Sequence, residues 1–323
     1  MGKHLSIVCA LVMLIAVSSC IPARDDGKLI AYLSGYKWDG GKIYLINVDG
    51  SHPVKLNTGL VDDGCPTWSP DGQKLVFVSA NGTDDGLDRE LNLYTIKKDG
   101  SGLTQLTHGP GDVYSAAWSH DGKHIVFSAG QGRGHRPLSL YAMNSDGTNV
   151  EQITFQTQAS VSDIYPAWSP DGKKIAFSSN PPNKGEENPN YSLFNLELEN
   201  HEIQRLTEDR QPEWQQYVGV DWSPNGKQLV YYVGNSWNGA PSGTYILDIE
   251  TGQMTEIKAP SNLVWDTSPR WSPNGQQIVL SSNRDYVNTD KTFRSDIYIM
   301  DADGSNVVRL TNSGNNICPD WQP

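Results

Sequence analysis

Trp68-Ser69-Pro70-Asp71-Gly72, with the apolar run Leu75-Val76-Phe77-Val78 behind it, decides how this chain folds. The phrase returns as Trp118-Ser-His-Asp-Gly, Trp168-Ser-Pro-Asp-Gly, Trp222-Ser-Pro-Asn-Gly and Trp271-Ser-Pro-Asn-Gly, and a truncated Trp321-Gln-Pro closes the sequence. Successive tryptophans stand 50, 50, 54, 49 and 50 residues apart. A period of that length marks a propeller or a solenoid.

Each period has the content of one propeller blade. Behind every Asp-Gly or Asn-Gly turn comes a β-rich run, such as Ile125-Val-Phe-Ser or Ile278-Val-Leu-Ser, and beyond a loop comes a second, such as Leu140-Tyr-Ala-Met or Ile297-Tyr-Ile-Met. A tight turn at Asp49-Gly50, Asp99-Gly100, Asp146-Gly147 or Asp303-Gly304 then leads to a third run ending near Leu-Thr. Adding the segment that enters each Trp gives four antiparallel strands per period and no helical periodicity. The chain stops at Trp321-Gln-Pro with only an innermost strand and begins at Leu29-Ile30-Ala31-Tyr32 without one. The reading therefore expects an all-β, six-bladed propeller whose last blade takes its inner strand from about 316–323 and its outer three from about 28–58. Such closure leaves no open inner edge.

The Trp-Ser-Pro-Asp-Gly phrase with its following apolar-Phe-Ser strand resembles the TolB-type β-propeller repeat. The resemblance covers nearly all of the chain beyond its first residues and is specific for fold. The same repeat serves unrelated roles, so it says little about function. TolB proteins carry an additional N-terminal domain, for which there is no room between Cys20 and the first strand, so a stand-alone propeller is expected.

The N-terminus reads as an address. Lys3 precedes an apolar run from Leu5 to Val17, the pattern of an export signal. Val17-Ser18-Ser19-Cys20 resembles a bacterial lipobox, with Cys20 the lipidated residue; an ordinary secretory signal is the alternative. The expected organisation is a signal peptide at 1–19, a lipidated Cys and short tether at 20–26, and the propeller at 27–323. Ile21, which is not an Asp, permits sorting to an outer membrane. The expected location is extracytoplasmic, anchored to the cell membrane or the outer membrane. The formal charge of −12 (37 acidic, 25 basic residues) opposes nucleic acid as a partner.

Blade geometry puts the Ser-Pro-Asp-Gly and Asp-Gly turns on one face and the long connections on the other. Long loops on a rigid scaffold are where binding usually lives. Four tryptophans outside the repeat, Trp38, Trp214, Trp237 and Trp265, fall in those connections and are candidate anchors for a sugar ring or a peptide; the alternative is that they cover the blade tops. Five residues before each repeat Trp stand Asp63, Val113, Asp163, Tyr217, Asp266 and Asn316. Their oxygens could converge at the channel mouth on a calcium ion, through Asp63, Asp163 and Asp266, or on a cationic partner group. Alternatively they cap local turns. Cys65 and Cys318 occupy equivalent places on neighbouring inner strands, and a disulfide there would lock the ring, provided the inner strands approach within the roughly 7 Å Cα limit of a disulfide.

Enzyme readings find little in the residues. His52, His108, His120, His124, His135 and His201 are scattered, whereas the oligogalacturonate lyases that share a related repeat hold metal through clustered His. No Gly-x-Ser-x-Gly nucleophile, phosphate loop or dinucleotide fingerprint is present. Asp301-Ala-Asp-Gly opens like a calcium loop, but Asn312 stands where the twelfth-position Glu is needed. The functional expectation is a monomeric, non-catalytic binding or scaffold propeller for an envelope protein or peptide, without a required cofactor. A glycan-binding protein using the loop Trp residues is the alternative. A polysaccharide-active enzyme with Asp63, Asp163 or Asp266 as acid or base is a third reading.

Overall fold

The structure, a computed structural model, describes residues 28–35, 40–81, 90–109, 111–130, 137–155, 161–181, 191–207, 216–234, 243–261, 264–287 and 294–323. The opening strands are β1 (Leu29–Ser34), β2 (Lys42–Asn47) and β3 (Val54–Lys55). Four complete sets follow before the last: β4 (Thr67–Trp68), β5 (Lys74–Asn81), β6 (Glu90–Lys97) and β7 (Thr104–Gln105); β8 (Val113–Trp118), β9 (His124–Gly130), β10 (Leu138–Asn144) and β11 (Glu151–Gln152); β12 (Asp163–Trp168), β13 (Lys174–Ser179), β14 (Ser192–Glu197) and β15 (Ile203–Arg205); β16 (Gln216–Trp222), β17 (Gln228–Gly234), β18 (Gly243–Asp248) and β19 (Met254–Ile257). The chain ends with β20 (Asp266–Trp271), β21 (Gln277–Ser282), β22 (Asp296–Asp301), β23 (Val308–Arg309) and β24 (Asn316–Trp321). They form six four-stranded antiparallel sheets, one of them ordered β24-β1-β2-β3. The six-bladed propeller with a blade shared between the two ends of the chain is thus the observed fold.

The recurring phrase is a turn in which each polar residue has an assigned atom. Ser69 donates its hydroxyl to the Asp71 carboxylate at 2.6 Å and accepts the Lys74 N–H at 2.9 Å. Asp71 also accepts the Gln73 N–H at 3.0 Å. Gly72 sits at φ +62°, the left-handed region that a side chain resists. The same bonds recur around Ser119, Ser169, Ser223 and Ser272, with Asn replacing Asp in the last two. The Thr that follows a Leu or Ile just beyond four of the outer strands has a comparable duty. The hydroxyls of Thr107, Thr154, Thr207 and Thr311 accept the N–H of Leu93, Leu140, Leu193 and Ile297 at 2.9, 2.8, 3.0 and 2.9 Å.

The core lies between blades. Ala31, Ile43 and Leu45 of the shared blade pack against Trp68, Leu75, Phe77 and Tyr94 of the next, all buried. Each such side chain contributes on the order of 1.5–3 kcal/mol on leaving water. The repeat tryptophans sit at these seams, which accounts for their regular spacing.

Closure is a ladder interrupted by one bulge, plus a clasp. Ile30 pairs with Trp321 and Ser34 with Asn316 across β1 and β24. Beyond the ladder, Gln322 donates its backbone N–H to the Leu29 carbonyl at 2.9 Å, and its side-chain oxygen accepts the Leu29 N–H at 3.1 Å. Its amide nitrogen donates to the Gly72 carbonyl at 2.8 Å, tying the shared blade to the first turn of its neighbour.

Candidate functional site

On the long-loop side the predicted residues are buried in separate networks. Asp63, 2% exposed, accepts the Thr58 hydroxyl on both carboxylate oxygens at 3.0 Å and the Ser79 hydroxyl at 3.3 Å. Burial pushes its carboxyl up, against the pull of Thr58 and of the Lys42 charge. Asp266 accepts from the Arg284 guanidinium at 2.7 Å, and that guanidinium lies 5.1 Å over the Tyr298 ring. Asn316 donates to Asp296, Thr311 and Ser313. Asp163 is fully buried on β12. Among the described residues no three His, Cys, Asp or Glu side chains gather where a metal could be held, so Asp63, Asp163 and Asp266 do not share a site.

Trp38, Trp214 and Trp237 lie outside the described residues. Trp265 is half-buried, and its backbone N–H donates to the Asn283 side chain at 2.6 Å.

A network that the sequence reading passed over lies beside Asn316. Asp296, fully buried at the start of β22, accepts hydrogen bonds from Tyr286, Arg309, Thr311, Asn316 and the Gly314 N–H. Burial would raise its carboxyl, but these donors outweigh it and hold the group below the usual carboxylate range. Arg309 also bonds Asp285 at 2.7 Å, so one cluster fixes the 283–287 segment to the shared blade.

Four of the inner strands, β12, β16, β20 and β24, carry a bulge around the position three residues before the Trp. Tyr165, Ser268, Cys318 and Gly219 there adopt φ of +53°, +51°, +53° and +63°. Cys65 and Cys318 form a disulfide across the seam with Cα atoms 5.3 Å apart. Tyr165 is 40% exposed, and its N–H donates to the Ser115 hydroxyl at 3.0 Å.

A concave feature lies at the opposite end of the described residues. On the short-turn face the six inner strands end around a funnel of about 370 Å³. Its walls are the six repeat tryptophans and the prolines of the turns, Pro70, Pro224, Pro273 and Pro323, with His120 in place of one proline. The residues preceding each Trp differ: Thr67, Ala117, Ala167, Asp221, Arg270 and Asp320. Three neighbouring blades thus place Asp221, Arg270 and Asp320 together in a vault lined largely by Trp, Pro and Ala, with Thr67, Ser119, His120 and Ser272 as its other polar residues.

These charges are also joints between blades. The Asp320 carboxylate accepts the Trp68 N–H at 2.7 Å and stands 3.9 Å from the Arg270 guanidinium; the Asp221 carboxylate accepts the Trp271 N–H at 2.8 Å. Arg270 donates to the Val220 carbonyl at 3.0 Å, and the Trp321 indole donates to the Arg270 carbonyl at 3.2 Å. The Asp320 side chain is only 14% exposed. Burial, reinforced by the Asp221 charge and opposed by Arg270 and the Trp68 N–H, pushes its carboxyl up to about 7. Burial likewise raises Asp221. The vault therefore holds one permanent cation beside two carboxyls, one of which titrates near neutrality, between aromatic and proline walls.

Comparison with known proteins places this architecture. The TolB beta propeller domain profile matches residues 22–216. The "Tol-Pal system protein TolB" of Francisella tularensis subsp. mediasiatica (strain FSC147) is 34% identical over 90 residues, covering 28% of this chain and 18% of that protein. The chain thus matches about a fifth of the length of such curated relatives. The crystal structure of TolB from Acinetobacter baumannii superposes with a TM-score of 0.69 at 23% identity, over 92% of this chain and 67% of that one. Kuenenia stuttgartiensis hydrazine synthase superposes with a TM-score of 0.72 at 15% identity, over 91% of this chain and 46% of that one. At these identities the two superpositions show the fold alone.

Proposed function

The chain belongs to the TolB β-propeller domain family, and from that premise we propose that it is a non-catalytic binding or scaffold propeller of the cell envelope. It is held outside the cytoplasm by a lipid on Cys20, acts as a monomer, and takes a segment of an envelope protein into the tryptophan-lined funnel. The observation that carries this is the funnel itself: 370 Å³ of concave, aromatic and proline-walled space drawn from all six blades. Such surfaces bind protein segments through a few desolvated anchors. Its polar groups support recognition rather than catalysis, because Asp221, Arg270 and Asp320 are each hydrogen-bonded to a neighbouring blade's backbone. The name of the curated relatives, Tol-Pal system protein, supports a protein partner.

A photo-crosslinking residue in place of His120, on the funnel wall, tests this in intact cells. It should give adducts with one envelope protein, and Ala117→Phe, which fills the vault, should abolish them. Adducts of undiminished intensity in the filled variant would refute the assignment of the funnel.

A further inference from the structure

We infer that the short-turn face, with its funnel, is held toward the membrane, and that the long-loop face points away from it. The inference rests on the lipid anchor of the proposed function and adds an orientation to it. Its structural basis is where the chain enters the ring. Leu29 opens β1 and is bonded through both its N–H and its carbonyl to Gln322, the residue after funnel-lining Trp321. Gln322 in turn bonds the Gly72 carbonyl, in a turn of the same face. From there β1 runs to Ser34, whose partner is Asn316 at the long-loop end of β24.

The tether fixes the sense of this entry. From Cys20 to Leu29 there are nine residue steps, which reach at most about 30 Å fully extended. A six-residue strand such as β1 is about 20 Å tall, before the connections beyond it are added. Turning the long-loop face to the bilayer would require the tether to be drawn nearly straight along the side of the blade. With the short-turn face down, the same nine residues span the gap with slack. The occupant of the funnel must then arrive within a tether's length of the lipid, which fits an envelope protein rooted in the same membrane. The long-loop side is left to the open compartment.

Energy transfer measures this directly on the full, natively processed protein. In that protein Cys20 would carry the lipid, and Cys65 and Cys318 are bonded to each other, so a single introduced cysteine takes the fluorophore. Donors are placed at the exposed short-turn positions by Lys123→Cys and Lys227→Cys, and at the exposed long-loop positions by His108→Cys and Asn312→Cys. The protein is reconstituted in phosphatidylcholine vesicles carrying an acceptor-labelled lipid. Transfer from the first pair should exceed that from the second several-fold, and a 20-residue Gly-Ser insertion after Arg24 should shrink the difference. Equal transfer at both pairs, or more from His108→Cys and Asn312→Cys, overturns the orientation. The mass of the N-terminal peptide, read on the same sample, separates a wrong orientation from a missing lipid, and an unmodified Cys20 overturns the inference at its premise. No partner takes part in the measurement, so its outcome is independent of whether the funnel binds a protein.

Discussion

Asp320 and Trp68 lie 252 residues apart in the chain, yet the carboxylate of the first accepts the backbone N–H of the second at 2.7 Å. The bond joins the shared blade to its neighbour at the lip of the funnel, and Asp221 makes the same bond to Trp271 two seams away. Both carboxyls are raised by burial, Asp320 to about 7. A carboxyl whose folded value exceeds its unfolded one binds protons more tightly in the folded state. Its destabilising effect therefore grows as pH rises from about 4 to about 7. Asp320→Asn keeps an oxygen for the Trp68 N–H and removes the titration. Urea melts at pH 5 and pH 8 should show the wild type losing stability relative to Asp320→Asn by about 1–3 kcal/mol over that interval. Parallel pH dependence in the two proteins would remove Asp320 from this role.

Asp296 predicts the opposite sign. Its carboxyl is held below the usual range by five donors. The stability it contributes is present above the unfolded value of about 3.9 and is lost as pH falls through the folded one. Asp296→Asn should cost about 2–4 kcal/mol at pH 7 by leaving Arg309 and its neighbours short of an acceptor. The gap between variant and wild type should close below about pH 4. A variant as stable as the wild type at pH 7 would show the network to be dispensable.

The Gln322 clasp is testable by amide exchange. Gln322→Ala removes the side-chain bonds to the Leu29 N–H and the Gly72 carbonyl, at a cost of about 1–3 kcal/mol. Protection should fall first at Leu29 and along β1, while β9 and β13 keep theirs. Uniform loss across all blades would mean that the clasp matters only globally.

The Cys65–Cys318 disulfide closes a loop of 253 residues. The chain-entropy relation assigns a crosslink of that span about 5 kcal/mol. The double variant Cys65→Ser, Cys318→Ser should therefore unfold at clearly lower urea than the oxidised protein and match the wild type in reductant. Coincident curves for oxidised wild type and double variant would show that the bond contributes nothing.

The fold was legible in the sequence because the repeated phrase is a turn in which Ser69, Asp71 and Gly72 each hold an obligatory position. Every copy therefore announces the next strand, and the half-blades at the two ends announce their own joining. The funnel was not legible for a related reason. The residue before each Trp varies from Thr67 to Arg270 to Asp320, so the chemistry sits where the repeat loses its pattern, on the face whose turns are too short to attract notice. Asp63, Asp266 and Asn316 stand out in the sequence as special positions, but nothing there shows that Thr58 and Asp296 bind the polar groups of the first and last, or that Arg284 takes one carboxylate oxygen of Asp266. Asp296 itself was hidden at the end of a long connection, since nothing in its spacing distinguishes a buried acceptor from a solvated loop aspartate. The left-handed bulges at Tyr165, Ser268 and Cys318 carry no glycine to signal them.

The pairing of β24 with β1 also orders events in time. A chain emerging from its N-terminus exposes β1, β2 and β3 first, and the inner edge of β1 has no native neighbour until Trp321 arrives. The five other sheets are local and can form as they emerge, so the earliest segment out is the last to be completed. The opening strands are therefore the stretch in longest need of protection from other chains. The same order also places the commitment to the native state after β24 has been delivered.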